Sequence, residues 1–349
     1  MTPHLIPGHA PDGTPILSVL GKETFEIAPG EAPWFAEEEI SFRESDEDLE
    51  TDLVAFKPMT DLLLTGSVFA PRGKKAFHMD AGIAVGRCLC AVRVFGDRRA
   101  AVLGNSVRFS EAESFESMPV SLSRCYGGVD TLVRPGEPFA YPPNPHGTGF
   151  LVAGTQEVTE IVLPNFEDPS RLLAPDTFLL REFARWPQAP LPASLAPLPR
   201  DTHPRRTFAG VSPDQAADQE VERRKRIQSM PEVGAGNGTF PPAPPAILNP
   251  EYHQAAPPGL RFPLLSGSET INLQYFHPDH PRWDIALPGG SPVAWIDTGH
   301  GPESVRMVVQ TVELRLDLGK LALTWRGSLY YGGPAAMANF TRLEYGIED

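Results

Sequence analysis

The sequence predicts a mainly antiparallel β protein, and three observations carry that prediction. Its 39 prolines in 349 residues are about twice ordinary usage. Proline breaks helix interiors and has no N–H to donate, so long helices must be few. Short β-rich apolar runs recur between turn signals, the mark of sheets built from hairpins. A hydrophobic content of 41% with 19 phenylalanines marks a folded chain with a core. The sheets are expected to be sandwich-like or barrel-like, in two lobes with long Pro/Gly-rich loops.

The elements follow in order. Ile16 to Leu20 is an apolar run that continues through Gly21-Lys22 into Thr24, Phe25 and Ile27. It reads as a hairpin turning at Gly21-Lys22. Residues 23–52 hold twelve acidic side chains against one basic, Arg43, with Trp34 and Phe35 among them. This reads as a long loop whose charges are solvated or face a basic partner. Residues 61–69, 76–83 and 87–95 are three strands separated by Pro71-Arg72-Gly73 and a second turn. In the third, Leu89, Ala91, Arg93 and Phe95 share one face, and Cys88, Cys90, Val92 and Val94 the other. Residues 98–109 and 118–125 continue the pattern. Residues 127–149 and 163–170 are loops, and loops of such length tend to carry function.

Residues 187–240 form a proline-rich connector with one helix at 214–229, whose basic end (Arg223, Arg224, Lys225, Arg226) suits the helix dipole. Residues 234–245 are the best internal break. Residues 1–186 form a first β lobe and residues 241–349 a second, and the two can share one sheet system. The last hairpin is the clearest element. Val312, Leu314, Leu316 and Leu318, then Leu321, Leu323 and Trp325, alternate with polar residues across Gly319-Lys320, which predicts one buried face and one wet face.

Composition excludes several functions. A net charge of −14 and a pI near 5.1 leave no general basic face for nucleic acid. Three cysteines (Cys88, Cys90, Cys125) suggest a reducing compartment without a disulfide framework. The opening MTPHLIPGHAPDG lacks the pattern of a signal peptide, and no run approaches a membrane span. The expected location is the cytoplasm. The sequence contains no GxGxxG, GxxxxGK[ST], GxSxG or HExxH, so no cofactor or metal is expected. His277-Pro278-Asp279-His280-Pro281 is a loop rather than a metal set. Cys88 and Cys90 read as small buried hydrophobes.

Charge at the turns supplies the candidate site. Glu167-Asp168, between Phe166 and Pro169, is either turn chemistry or half of a carboxylate pair. Arg93, Asp97, Arg98 and Arg99 surround a tight turn, where they pin strands as ion pairs or hold an anion.

At these residues the chain resembles a known family. DLVAFKPMTDLLLTGSVFAP, VRVFGDRR, RCYGG, NPHGTGF, LPNFEDP and YHQAAPPGLRF occur in this order, from about Pro15 to Arg326. They are similar to the bacterial effector-adaptor, or effector-loading chaperone, family encoded beside type VI secretion toxins, long known as a domain of unknown function. Met59 and Cys125 depart from the family pattern, Tyr126 fits it, and residues 215–245 are longer than it. The resemblance implies a non-catalytic protein that holds a cognate toxin, or its spike-tip domain, for loading onto the secretion spike. It transfers no catalytic residue. The residues expected to pin the scaffold or face a partner are Phe56, Lys57, Asp61, Arg93, Phe95, Asp97, Arg98, Arg124, Tyr126, Asn144, Phe150, Asn165, Glu167 and Asp168. Lys57, Asp61, Arg93, Asp97 and Arg98 are expected in buried or half-buried ion pairs, with Asp97 neutralising a buried arginine. The alternatives are a β-scaffold enzyme acting on a glycan or anionic small molecule, and a structural component of the secretion apparatus.

Overall fold

A computed structural model describes residues 3–43, 52–132, 136–152, 159–208, 238–239, 249–290, 292–297, 302–330, 339–340 and 342–347. The predicted helix at 214–229 lies outside these residues, as does nearly all of the break at 234–245. The described chain is mainly β, with several antiparallel sheets and only short helical turns.

The longest sheet runs in the order His4–His9, Pro15–Glu26, Lys320–Tyr330, Val308–Arg315, Thr60–Thr65, Arg261–Phe262, with Trp34–Phe35 paired to Pro15–Glu26. Its strands come from both ends of the chain. Thr60–Thr65 pairs in parallel with Val308–Arg315, Leu62 opposite Val312 and Leu64 opposite Leu314. All but the last residue of this strand is buried, as expected of a strand covered on both faces. A second sheet runs Phe166–Glu167, Cys88–Phe95, His78–Val85, Thr270–Gln274, Arg282–Ala286, again from distant parts of the sequence. The inner faces of the two sheets share one apolar core. Leu17, Val19, Leu62, Leu64, Val312, Leu323 and Trp325 come from the first, and Ile83, Val92, Val94, Ile271, Trp283 and Ile285 from the second. A smaller core gathers Ala100, Val102, Tyr126, Tyr141, Phe150, Leu163, Leu173 and Phe178.

Four local expectations change. Gly21-Lys22 is not a turn: Pro15–Glu26 is one strand of 12 residues. The hairpin turns earlier, at residues 10–14, with Gly13 at φ 83°. Lys22 reads as a turn residue because it is charged, but buried carboxylates neutralise it in mid-strand. The predicted strand at 61–69 divides at Gly66, whose φ of 143° lies where L side chains are strained. Cys88 is exposed and Cys90 half-buried, because strand Cys88–Phe95 sinks into the core only toward its C-terminal half; Cys125, after the turn at 122–124, is buried. Burial pushes the Cys90 thiol up to about 11 and the Cys125 thiol up to about 12.

The fourth change matters most for the site. The final hairpin alternates as predicted, but its polar face is not wet: Thr311, Glu313, Thr324 and Arg326 are all buried. Residues 36–43 and 52–57 lie over that face. Ser18 Oγ donates to Ala55 O at 2.7 Å, Ile40 N–H to Thr24 Oγ1 at 2.9 Å and Gln310 Nε2 to Asp52 O at 3.2 Å. Ile6, Leu20 and Leu53 form a small apolar cluster within the same cover.

Candidate functional site

The charged residues singled out by the sequence fall into two separate clusters, and each joins segments far apart in the chain. The first is built on Asp61, a fully buried carboxylate at the start of the parallel strand. Lys57 Nζ donates to its Oδ2 at 3.0 Å and to Thr311 Oγ1 at 3.3 Å. Gln254 Nε2 donates to Asp61 Oδ1 at 2.5 Å, and the Ala255 N–H donates to Oδ2 at 2.8 Å. Met59 N–H closes the set on Gln254 Oε1 at 2.8 Å. FKPMTD and HQAA thus lock together across some 190 residues, with every Asp61 oxygen satisfied, as a buried carboxylate requires. Phe56 leaves the cluster for the sheet cover, where its ring lies 4.6 Å from the Arg326 guanidinium carbon.

The second cluster sits in the seam between the two cores, where Phe166 belongs to the larger and Leu163 and Leu173 to the smaller. Arg98 is buried, forms a close ion pair with Glu167, and donates to Pro164 O at 3.2 Å. Its guanidinium carbon lies 3.7 Å from the centre of the Phe95 ring, a cation–π contact. The other Glu167 oxygen accepts the Leu173 N–H at 2.7 Å. Burial pushes the Glu167 carboxyl up, while Arg98 and the Leu173 N–H pull it down. Asn165 ties the neighbouring loops. Its Nδ2 donates to Phe95 O at 3.1 Å and Asp97 Oδ1 at 3.0 Å, and its Oδ1 accepts from Arg124 at 2.9 Å. Gly96 lies so close to Glu113 O that a Cβ there would stand 1.8 Å from it.

The expectation for Asp97 is corrected here. Its side chain is 66% exposed and stands 3.6 Å from Arg124, itself partly exposed. The carboxylate that neutralises the buried arginine is Glu167. Sequence proximity favoured Asp97, but in the turn between two strands Asp97 is exposed while Arg98 is buried, and the partner comes from strand Phe166–Glu167. Arg93, half-buried, is forked onto exposed Asp80 through two contacts of 2.7 and 2.9 Å. Asp168 caps a turn, its Oδ1 accepting from Ser170 N–H at 2.8 Å and Ser170 Oγ at 2.7 Å.

Tyr126, Asn144 and Phe150 anchor the loop beside this seam. Asn144 Nδ2 donates to Leu122 O at 2.9 Å and Tyr126 O at 3.1 Å. Tyr126 meets Tyr141 edge-on at 5.3 Å, and Tyr141 stacks on Phe150 at 5.1 Å. Gly127, at φ 152°, passes so near Asn144 that a Cβ would lie 2.1 Å from its carbonyl oxygen.

Sequence reasoning missed a third cluster, under the cover of the long sheet. Lys22 Nζ lies 2.7 Å from Asp52 Oδ2 and 3.0 Å from Glu313 Oε2. Arg43 and Arg315 reach the other Glu313 oxygen at 3.0 and 2.7 Å. Burial alone would push the Glu313 carboxyl up, but Lys22, Arg43 and Arg315 outweigh it and hold it at about 2. The signal was partial: a lysine inside an apolar run and a glutamate inside a strand each mark an unusual position, but 291 residues separate them and neither names its partner.

Beside this cluster Arg326 is buried, and no carboxylate among the described residues meets it. Its nearest hydrogen-bonding contact is Ala55 O at 3.5 Å. Burial pushes its guanidinium down to about 10, opposed by Tyr330, so it stays charged at neutral pH. A buried charge without a counter-ion is costly. Arg326→Met, which keeps the volume, is expected to raise the unfolding free energy by about 1 kcal/mol. A lowered urea midpoint would show instead that the stack on Phe56 outweighs the desolvation.

Chemically, the first two clusters and the Glu313 set do the same thing. Each carboxylate faces a cation or backbone donors, and each cation ties one segment to another. These are geometries that fix a scaffold.

Among known families, the one described as "uncharacterized protein conserved in bacteria (DUF2169)" matches residues 12–326. The chain belongs to that family. The match runs from the turn of the first hairpin into strand Lys320–Tyr330 and takes in all three clusters. No curated protein and no solved structure matches the chain. Among the described residues, no helix is long and apolar enough to cross a membrane. None of their His, Cys, Asp and Glu side chains form a group of three or more able to hold a metal ion.

Proposed function

We propose that this chain is a non-catalytic adaptor that binds a cognate type VI secretion effector, or its spike-tip domain, in the producing cell's cytoplasm and assists its loading onto the spike. One observation carries the reading: the convergent charged groups are engaged with each other. Asp61 is held by Lys57, Gln254 and Ala255, and Glu167 by Arg98 and Leu173. Glu167 and Asp168, the carboxylates on which an enzymatic alternative would draw, are occupied by an ion pair and a turn. The order and extent of the segments resembling effector adaptors support the same reading. A rigid scaffold of interleaved sheets suits a protein whose work is to present a surface.

The test is co-purification. The tagged chain is expected to retain the toxin or spike-tip protein encoded beside it, and its deletion to leave that toxin unloaded while other effectors fire normally. Failure to associate with any neighbouring effector or spike protein would sink the adaptor reading.

A further inference from the structure

The segment 31–39, EAPWFAEEE, departs from the pattern of the rest of the surface. Trp34 and Phe35 form a two-residue edge strand on Pro15–Glu26, with Phe35 opposite Phe25 and Trp34 opposite Glu26. Both aromatics are exposed, Phe35 at 68% and Trp34 at 45%. Phe35 is nonetheless held in place, its ring 4.9 Å from that of buried Phe25. Large exposed aromatics fixed on a rigid element are the usual anchors of protein interfaces. At the same end of the sheet, Leu318 is 55% exposed on the final hairpin's tip, which is tied to the adjoining strand by the Ile27 N–H to Gly319 O bond at 2.8 Å.

The charges around these side chains are one-sided. Glu31, Glu37, Glu38 and Glu39 are all exposed. Lys320 is committed to Glu38, with contacts of 2.9 Å to its carboxylate and 3.1 Å to its carbonyl. Arg43 and Arg315, nearby, are committed to Glu313. Among the described residues no cation meets Glu31, Glu37 or Glu39. An apolar anchor within an acidic rim selects its occupant by complementarity: apolar side chains for the ring, cations for the rim.

We propose that Phe35 and Leu318 anchor a docking surface for a basic, extended segment of a partner protein. The segment lies along the exposed edge of Trp34–Phe35, its apolar side chains on the face of the Phe35 ring and its lysines or arginines facing Glu31, Glu37 and Glu39, while the Trp34 ring, next in the strand, lies on the opposite face. Strand addition fits because an edge strand offers main-chain groups as well as side chains. The partner's identity as a secretion effector rests on the adaptor reading; the geometry does not.

The probe is a fluorescein-labelled peptide of about eight residues alternating lysine and valine, compared with lysine–serine and glutamate–valine peptides, by anisotropy at about 0.15 M salt. The lysine–valine peptide is expected to bind saturably and more tightly than either control. Phe35→Ser, and separately the pair Glu37→Lys and Glu39→Lys, should each weaken it at least about tenfold with melting temperatures unchanged. No saturable binding, or binding that neither variant weakens, overturns the surface. So does self-association of the wild type that Phe35→Ser abolishes, since the occupant would then be a second copy. The two readings fail separately. A neighbouring-gene effector retained equally by wild type and Phe35→Ser overturns the surface and leaves the adaptor. Peptide binding with the expected losses, but no effector retained, leaves the surface and overturns the adaptor.

Discussion

Glu313→Gln is expected to lower the unfolding free energy by about 3 kcal/mol at neutral pH. The variant keeps the side chain's shape but leaves Lys22, Arg43 and Arg315 with Asp52 as the remaining carboxylate of that cluster. The pH dependence identifies the cause. An ordinary glutamate titrates near 4.5, and this one is held at about 2. A depressed carboxyl contributes stability that is fully present above its unfolded value and is lost as pH falls through its folded one. The gap of about 2.5 units corresponds to about 3 kcal/mol. Wild type should therefore lose that much between about pH 5 and pH 2 beyond what the variant loses. Urea unfolding of the two proteins across that range tests it, and a difference that stays constant with pH would remove the charge cluster as the cause.

Glu167→Ala should be comparably severe, at about 3–5 kcal/mol, because it strands Arg98 between the two cores without a counter-ion. Asp97→Ala, one residue from that arginine in sequence, should cost about 1 kcal/mol, since it removes one part-buried hydrogen bond from Asn165 and a 3.6 Å contact with partly exposed Arg124. The double variant Arg98→Met, Glu167→Leu should recover most of the loss, because removing both charges leaves neither buried alone. Denaturant midpoints for the four proteins suffice. If Asp97→Ala proves as damaging as Glu167→Ala, the buried arginine is neutralised differently from the geometry described. Acid acts on this cluster in the opposite sense to Glu313. Burial raises the Glu167 carboxyl, so its contribution is present at low pH and is lost as pH rises through its folded value.

The fold class was legible because proline excludes helices and alternation marks strands, both local signals. The final hairpin shows where such signals stop. The alternation of Val312, Leu314, Leu321 and Leu323 located its core face, but Glu313, Thr324 and Arg326 said only that the other face is polar. That it is covered depends on residues 36–43 and 52–57, and no local pattern reports a cover from some 260 residues away. The same limit explains the site. Asp61 and Lys57, four residues apart, were readable as a pair, whereas Arg98, in a turn, meets a Glu167 that lies 69 residues on in a strand, and Asp97 looked closer. The turn wrongly placed at Gly21-Lys22 has the same origin, since a lysine's burial depends on partners that only the folded sheet brings.

The placement of Pro15–Glu26 beside Lys320–Tyr330 also governs the order in which this protein can be made. Ile16 pairs with Tyr330 and Glu26 with Lys320, so one of the first strands to leave the ribosome waits for one of the last. Thr60–Thr65, which pairs with Val308–Arg315, waits beside it. Until synthesis passes residue 330, two apolar strand edges have no native neighbour, and the entropy of closing so large a loop delays their pairing. Unpaired edges of this kind are where nascent chains associate wrongly. A chain stopped short of residue 308 would lack both pairings, and its yield as folded protein should collapse rather than decline in proportion to the length removed.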